Sequence, residues 1–137
     1  MHSKPVLDGL EVSRILAAAR REAQHNDWAV SIAVVDDGGH PLGLERLDGA
    51  APISAYIALE KARTAALGRR ESKAYEDMVN GGRTAFLSAP LLTSLEGGVP
   101  LVVAGQVVGA IGVSGVQAGQ DAQVAKVGGK PLNQAAG

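Results

Sequence analysis

The spacing of apolar positions changes several times along the chain, and each change marks a new element. Val12, Ile15, Leu16, Ala19 and Ala23 recur at the 3.6-residue period of an amphipathic helix. Asp8, with Glu11 three residues later, has the spacing of a capping box, so this helix is predicted to start at Asp8 and end at Asn26-Asp27. The run AVSIAVV from Ala29 to Val35 is rich in β-branched residues and predicts a strand. Asp36-Asp37-Gly38-Gly39 is hairpin chemistry, because glycine accepts positive φ. Leu42, Leu44 and Leu47 then form a looser second strand, and Asp48 to Pro52 a loop.

Ser54 to Leu67 reads as a long alanine-rich helix stopped at Gly68, and Glu71 to Asn80 as another stopped at Gly81-Gly82. Arg83 to Leu95 has no clear period, and Pro90 breaks any helix that enters it. Val99 to Ala104 and Val107 to Val113 are two apolar strands around a tight link. Gly119 to Lys126 is predicted to be a final helix, ended by Gly128-Gly129-Lys130-Pro131. Residues 1–6 and 131–137 read as loose tails. The order α-β-β-α-α-(α)-β-β-α predicts an α/β (α+β) fold in one domain, 1–137, with an antiparallel sheet and flanking helices.

Composition alters this picture in one respect. Apolar residues are 46% of the 137, but 23 are Ala, a further 18 positions are Gly, and only Trp28, Tyr56, Tyr75 and Phe86 carry aromatic rings. The core must therefore use Val, Ile and Leu together with close backbone contacts. A net charge of −1 with no basic stripe argues against a nucleic-acid partner. No apolar run approaches the roughly 18 residues of a membrane span, and the first residues lack the apolar stretch of a signal peptide. A cytoplasmic protein with no membrane partner is expected. The absence of Cys excludes disulfides, cysteine–metal sites and a thiol nucleophile.

Candidate chemistry concentrates on the helix after Ser54. Tyr56, Glu60, Arg63 and Leu67 share one face, Glu60 and Arg63 can pair at i,i+3, and Lys61 lies about 100° from Glu60. The other side, with Ala55, Ala58, Leu59, Ala62 and Ala66, permits very close packing. A phenol, a carboxylate and two cations are the parts of a site that binds an organic anion and moves protons. A solvated face with one ion pair is the plainer alternative. Arg83, after Gly81-Gly82, is either an anion contact from a loop or an exposed loop charge. His2, His25 and His40 lie in separate elements without metal-ligand spacing, so no metal site is expected. Gly109, Gly112 and Gly115 give GxxGxxG in and after a strand, which suits close approach by another backbone or a flat ligand and is not a dinucleotide fingerprint. Glu96-Gly97-Gly98-Val99-Pro100 forms a second backbone-rich edge, and Ser88, Ser94 and Ser114 lack a nucleophile elbow.

Three segments carry a family resemblance: DWAVSIAVVDDGGHPLGLERLDGAAPISAYIALEKARTAALGRRESKAYEDMVNGGR, LLTSLEGGVPLVVAGQVVGAIGVSG and QDAQVAK. Together they resemble the GlcG/HbpS-like family, often labelled haem-degrading, and most of all its branch from glycolate-utilisation operons, over about residues 7 to 127. The resemblance implies a profilin-like fold and a homo-oligomer, from dimer to octamer. For function it implies two classes. One is a cofactor-free enzyme on a small aromatic or hydroxy-carboxylate, such as the hydroxylaminobenzoate lyase branch that releases protocatechuate and ammonium. In that version Glu60 and Lys61 would be acid and base, with Tyr56 as a further donor. Arg63, Arg83 and Ser114 would bind the substrate, and Gly97 and Gly98 would let the ring approach. The other class is a haem-binding or haem-degrading protein, or an accessory protein of glycolate catabolism without chemistry of its own. The missing export signal and the lack of an axial His in a motif favour the enzyme, with no cofactor.

Overall fold

The computed structural model describes residues 1–135. The elements are α1 (Gly9–His25), β1 (Ser31–Asp36), β2 (Pro41–Arg46), α2 (Ile53–Gly68), α3 (Lys73–Asn80), a 3-10 turn (Thr84–Ser88), β3 (Gly98–Val103), β4 (Gln106–Ser114) and α4 (Ala118–Ala135). This is the expected order, and the ambiguous segment after Arg83 supplies only the short turn. Asp8 caps α1 as its spacing requires, its side chain accepting from the Glu11 amide at 2.9 Å.

Four antiparallel strands make one sheet in the order β2-β1-β4-β3. The period-2 alternation gives its faces different side chains. Ile32, Val34, Ile111, Val113, Val99 and Leu101 belong to the cluster that packs beneath α1 and α4. Burying each such aliphatic side chain contributes roughly 1.5–3 kcal/mol, so most of the hydrophobic stabilisation lies on this side. The other face carries Ala33, Val35 and Ala110 against Ala58, Ala62, Ala65 and Ala66 of α2. Register aligns Ala33, Gly112 and Gly98 in one row across three strands. A Cβ on Gly112 would lie 2.5 Å from the Ala62 nitrogen, and one on Gly98 2.8 Å from the Lys61 carbonyl carbon. The row is thus a trough in which the backbone of α2 rests on the backbone of the sheet. The close approach expected of the glycine-rich strand is real, and at Gly112 the approaching backbone is α2.

One boundary differs from expectation. Helix α4 does not stop at Gly128-Gly129-Lys130-Pro131 but continues to Ala135, although Pro131 cannot donate to the preceding turn. Tertiary packing outweighs the local signals. A Cβ on Gly128 would approach Ile111 Cδ1 to 2.6 Å and Ala19 Cβ to 2.9 Å, so glycine here admits the helix to the core. Leu132 packs on the same cluster. Residues 131–135 are therefore helical; 136–137 lie outside the described residues.

Candidate functional site

The residues expected to form one acid–base site are divided between two edges of α2. Successive helical residues are about 100° apart, which is enough to send Glu60 and Lys61 in different directions. Glu60 pairs with Arg63, and Arg63 Nε donates to the Gly39 carbonyl at 3.3 Å, so this edge faces the β1–β2 hairpin. Tyr56 stands on the same edge and is 75% exposed.

Lys61 turns the other way, into the protein. Its Nζ is 3.1 Å from Asp121 Oδ2 and donates to the Val113 carbonyl at 2.9 Å. Both side chains are under 5% exposed. Asp121, in the first turn of α4, also accepts from the Val116 amide at 3.1 Å. Burial holds the Asp121 carboxyl above its ordinary range, against the opposing pull of Lys61 and of the Val116 and Gly115 amides. The pair pins α2, the end of β4 and the start of α4 together.

Gly97 and Gly98 lie against this pin and are buried, Gly97 at φ +134°. A Cβ on Gly97 would come 2.9 Å from Lys61 Nζ, so both glycines admit the protein's own helix rather than a substrate ring. Ser114 is buried opposite Ser31 in the sheet. Arg83 lies apart and exposed, its guanidinium 4.8 Å from the Phe86 ring centroid. The expected set therefore does not surround one open volume.

Two open clefts flank α4 instead. A groove of about 580 Å³ between α4 and β3 is lined by Glu71, Glu96, Lys126 and Asn133 over Val99 and Ala122, and it holds no imidazole. A cleft of about 660 Å³ between α1 and α4 is lined by Arg21, His25 and Lys130 with Ala18, Val127 and Pro131. Its acid, Glu22, is engaged, accepting from Gln123 Nε2 at 2.7 Å. This cleft joins apolar walls, two cations and a nitrogen ligand, which suits a flat ligand with peripheral carboxylates. Sequence spacing missed it. Arg21 and His25 are i,i+4 neighbours on α1, but Lys130 and Pro131 reach the cleft only because α4 runs through its expected stop. Among the described residues no three His, Cys, Asp or Glu side chains group as a metal site, and no helix is long and apolar enough to cross a membrane.

Comparison with known proteins adds to this geometry. A family model described as "Haem degrading protein HbpS-like" matches residues 7–130. The chain is 67% identical to Protein GlcG of Escherichia coli K12 over 114 residues, covering 83% of this chain and 85% of that one. Among solved structures, a double mutant of Streptomyces reticuli HbpS matches with a TM-score of 0.86 and 31% identity, over 96% of this chain and 90% of that one. A PduOC:haem complex matches with a TM-score of 0.84 and 25% identity, over 94% and 96%.

Proposed function

Because the chain belongs to the haem-degrading HbpS-like family, we propose that it binds haem in the cytoplasm and that the cleft between α1 and α4 is the site. One observation carries this reading: His25, Arg21 and Lys130 converge on a single apolar-walled cleft. His25 would supply a nitrogen ligand to the haem iron. Arg21 and Lys130 would hold the propionates by charge-assisted hydrogen bonds. Ala18, Val127 and Pro131 would cover the apolar part of the ring. Bound haem would supply a redox-active iron. A related complex with haem, the PduOC structure, supports the choice of ligand.

The lyase reading has less support. It needs Glu60 and Lys61 in one cleft, whereas Glu60 is paired with Arg63 and Lys61 is buried against Asp121.

Titration of the purified chain with haemin tests the proposal. A saturable Soret shift is expected, lost or altered in form in His25→Ala. Arg21→Ala and Lys130→Ala should each weaken binding about tenfold or more, as removal of a hydrogen bond to a charged group does. A wild-type protein without a saturable shift, or a His25→Ala variant that titrates like wild type, overturns it. In the first case, the absence of a thermal shift with small carboxylates would leave an accessory role.

A further inference from the structure

Helices α1 and α3 end in the same backbone motif, built from different residues. In each, the two residues after the C-cap turn back on the last helical turn. Gly82 and Arg83 donate to the Val79 and Met78 carbonyls at 3.0 and 2.9 Å. Asp27 and Trp28 donate to the Gln24 and Ala23 carbonyls at 3.2 and 2.9 Å. The first residue of each pair takes a positive φ, +108° at Gly82 and +57° at Asp27. On α3 it is glycine, which adopts that conformation with no Cβ penalty. On α1 it is an acid, and its carboxylate stands at the negative pole of a 17-residue helix, where a cation is the favourable charge. Both effects oppose the fold, so Asp27 points to a use outside it.

Its surroundings supply one. Asp27 lines a cleft of about 490 Å³ with Trp28, Arg46, Leu47 and Asp48. Trp28 and Leu47 are half-buried against the α1–α4 core, which anchors them as an apolar wall. Asp48 stands at the corner of a turn in which the Ala50 amide donates to the Leu47 carbonyl at 3.1 Å and Gly49 has φ +88°. Arg46 ends β2. Two carboxylates and a guanidinium share this cleft, yet among the described residues none of the three is in an ion pair. In the α4–β3 groove, by contrast, Glu71 pairs with Lys126, and in the cleft beside Gly105 Lys4 pairs with Asp37.

We propose that this cleft binds a free amino acid with an apolar side chain. The ligand ammonium lies with Asp27 and Asp48 at the negative end of α1, and its carboxylate pairs with Arg46. The side chain lies on Trp28 and Leu47. Each charge of the cleft then meets its opposite. A simple amine leaves Arg46 unanswered, and a simple carboxylate leaves both aspartates so. The volume is within the roughly 300–1,000 Å³ of small-molecule sites. A bound ammonium also removes the charge conflict at the end of α1, so ligand and helix end stabilise each other. His25 lines the α1–α4 cleft and not this one, and the inference does not depend on haem binding.

Trp28 is the single tryptophan of the chain, so its fluorescence reports on this site. Titration of the full chain with L-leucine and with L-phenylalanine, without added haemin, should shift the Trp28 emission saturably, with a matching calorimetric isotherm. Isoamylamine and isocaproate keep the leucine side chain but lack the carboxylate or the ammonium; each should bind about tenfold or more weakly, as loss of a hydrogen bond to a charged group does. Arg46→Gln should weaken L-leucine binding and leave isoamylamine unchanged. Asp27→Gly should raise the melting temperature of the free protein and weaken L-leucine binding about tenfold or more, whereas loss of a merely structural residue would lower the melting temperature. The proposal is overturned if neither amino acid gives a saturable response by fluorescence or calorimetry. It is equally overturned if Asp27→Gly binds L-leucine like wild type, or if isoamylamine or isocaproate binds as tightly as L-leucine.

Discussion

At the scale of single residues, the strongest electrostatic commitment is Lys61 with Asp121. Removing one member of a buried pair leaves the other charged without a partner, so Lys61→Met should cost about 3–5 kcal/mol in chemical denaturation. The pH dependence has a sign of its own. The Asp121 carboxyl is raised by burial, so its contribution to stability is complete below its unfolded value of about 3.8 and is lost as pH rises through the folded value. Asp37 is lowered, chiefly by the hydrogen bond from Lys4, so its contribution is present at neutral pH and is lost on acidification. On acidification, wild type should gain stability relative to Asp121→Asn between neutral pH and about pH 4, and lose it relative to Asp37→Asn as the pH falls through about 3.8 and below. Urea melts across that range check both trends, and parallel curves would refute them. The Asp8 cap was legible in the sequence because capping is local. The Lys61–Asp121 pair was not, because its members are brought together by the sheet across 60 positions.

At the scale of elements, α4 and β3 explain each other. The apolar run of β3 and the start of α4 are legible in the sequence, but Gly128-Gly129 imitate a helix stop although their role is tertiary. Gly128 and Gly129 admit α4 to Ile111, Ala19 and Leu101, and the continued helix carries Asn133 to the edge of β3, where its Oδ1 accepts from the Val102 amide at 2.8 Å. Asn133→Ala should therefore speed amide exchange at Val102. Ser72→Ala should cost more, about 1–3 kcal/mol, because it leaves the buried Gly98 amide without a partner. Exchange at Val102 that is unchanged in Asn133→Ala would show that this bond is not maintained in solution.

At the scale of the whole molecule, the sheet separates two cores of different construction. Branched side chains fill the α1–α4 side, and alanine and glycine bring α2 onto the other. The small-residue count was visible in the composition, and the alanine face of α2 in its helical spacing. Which backbone the glycines would meet was not, since strand order is a three-dimensional fact. Gly112→Ala should lower stability by about 1–3 kcal/mol or more, because its Cβ meets helix backbone that cannot rotate away. The same row bears on how the chain folds. The trough exists only when β1, β4 and β3 align Ala33, Gly112 and Gly98. A slip of one residue in β4 would put Ile111 or Val113 beneath α2 and lift the helix away. Docking of α2 thus discriminates between strand alignments: it stabilises the one that places the small residues beneath the helix and disfavours its neighbours.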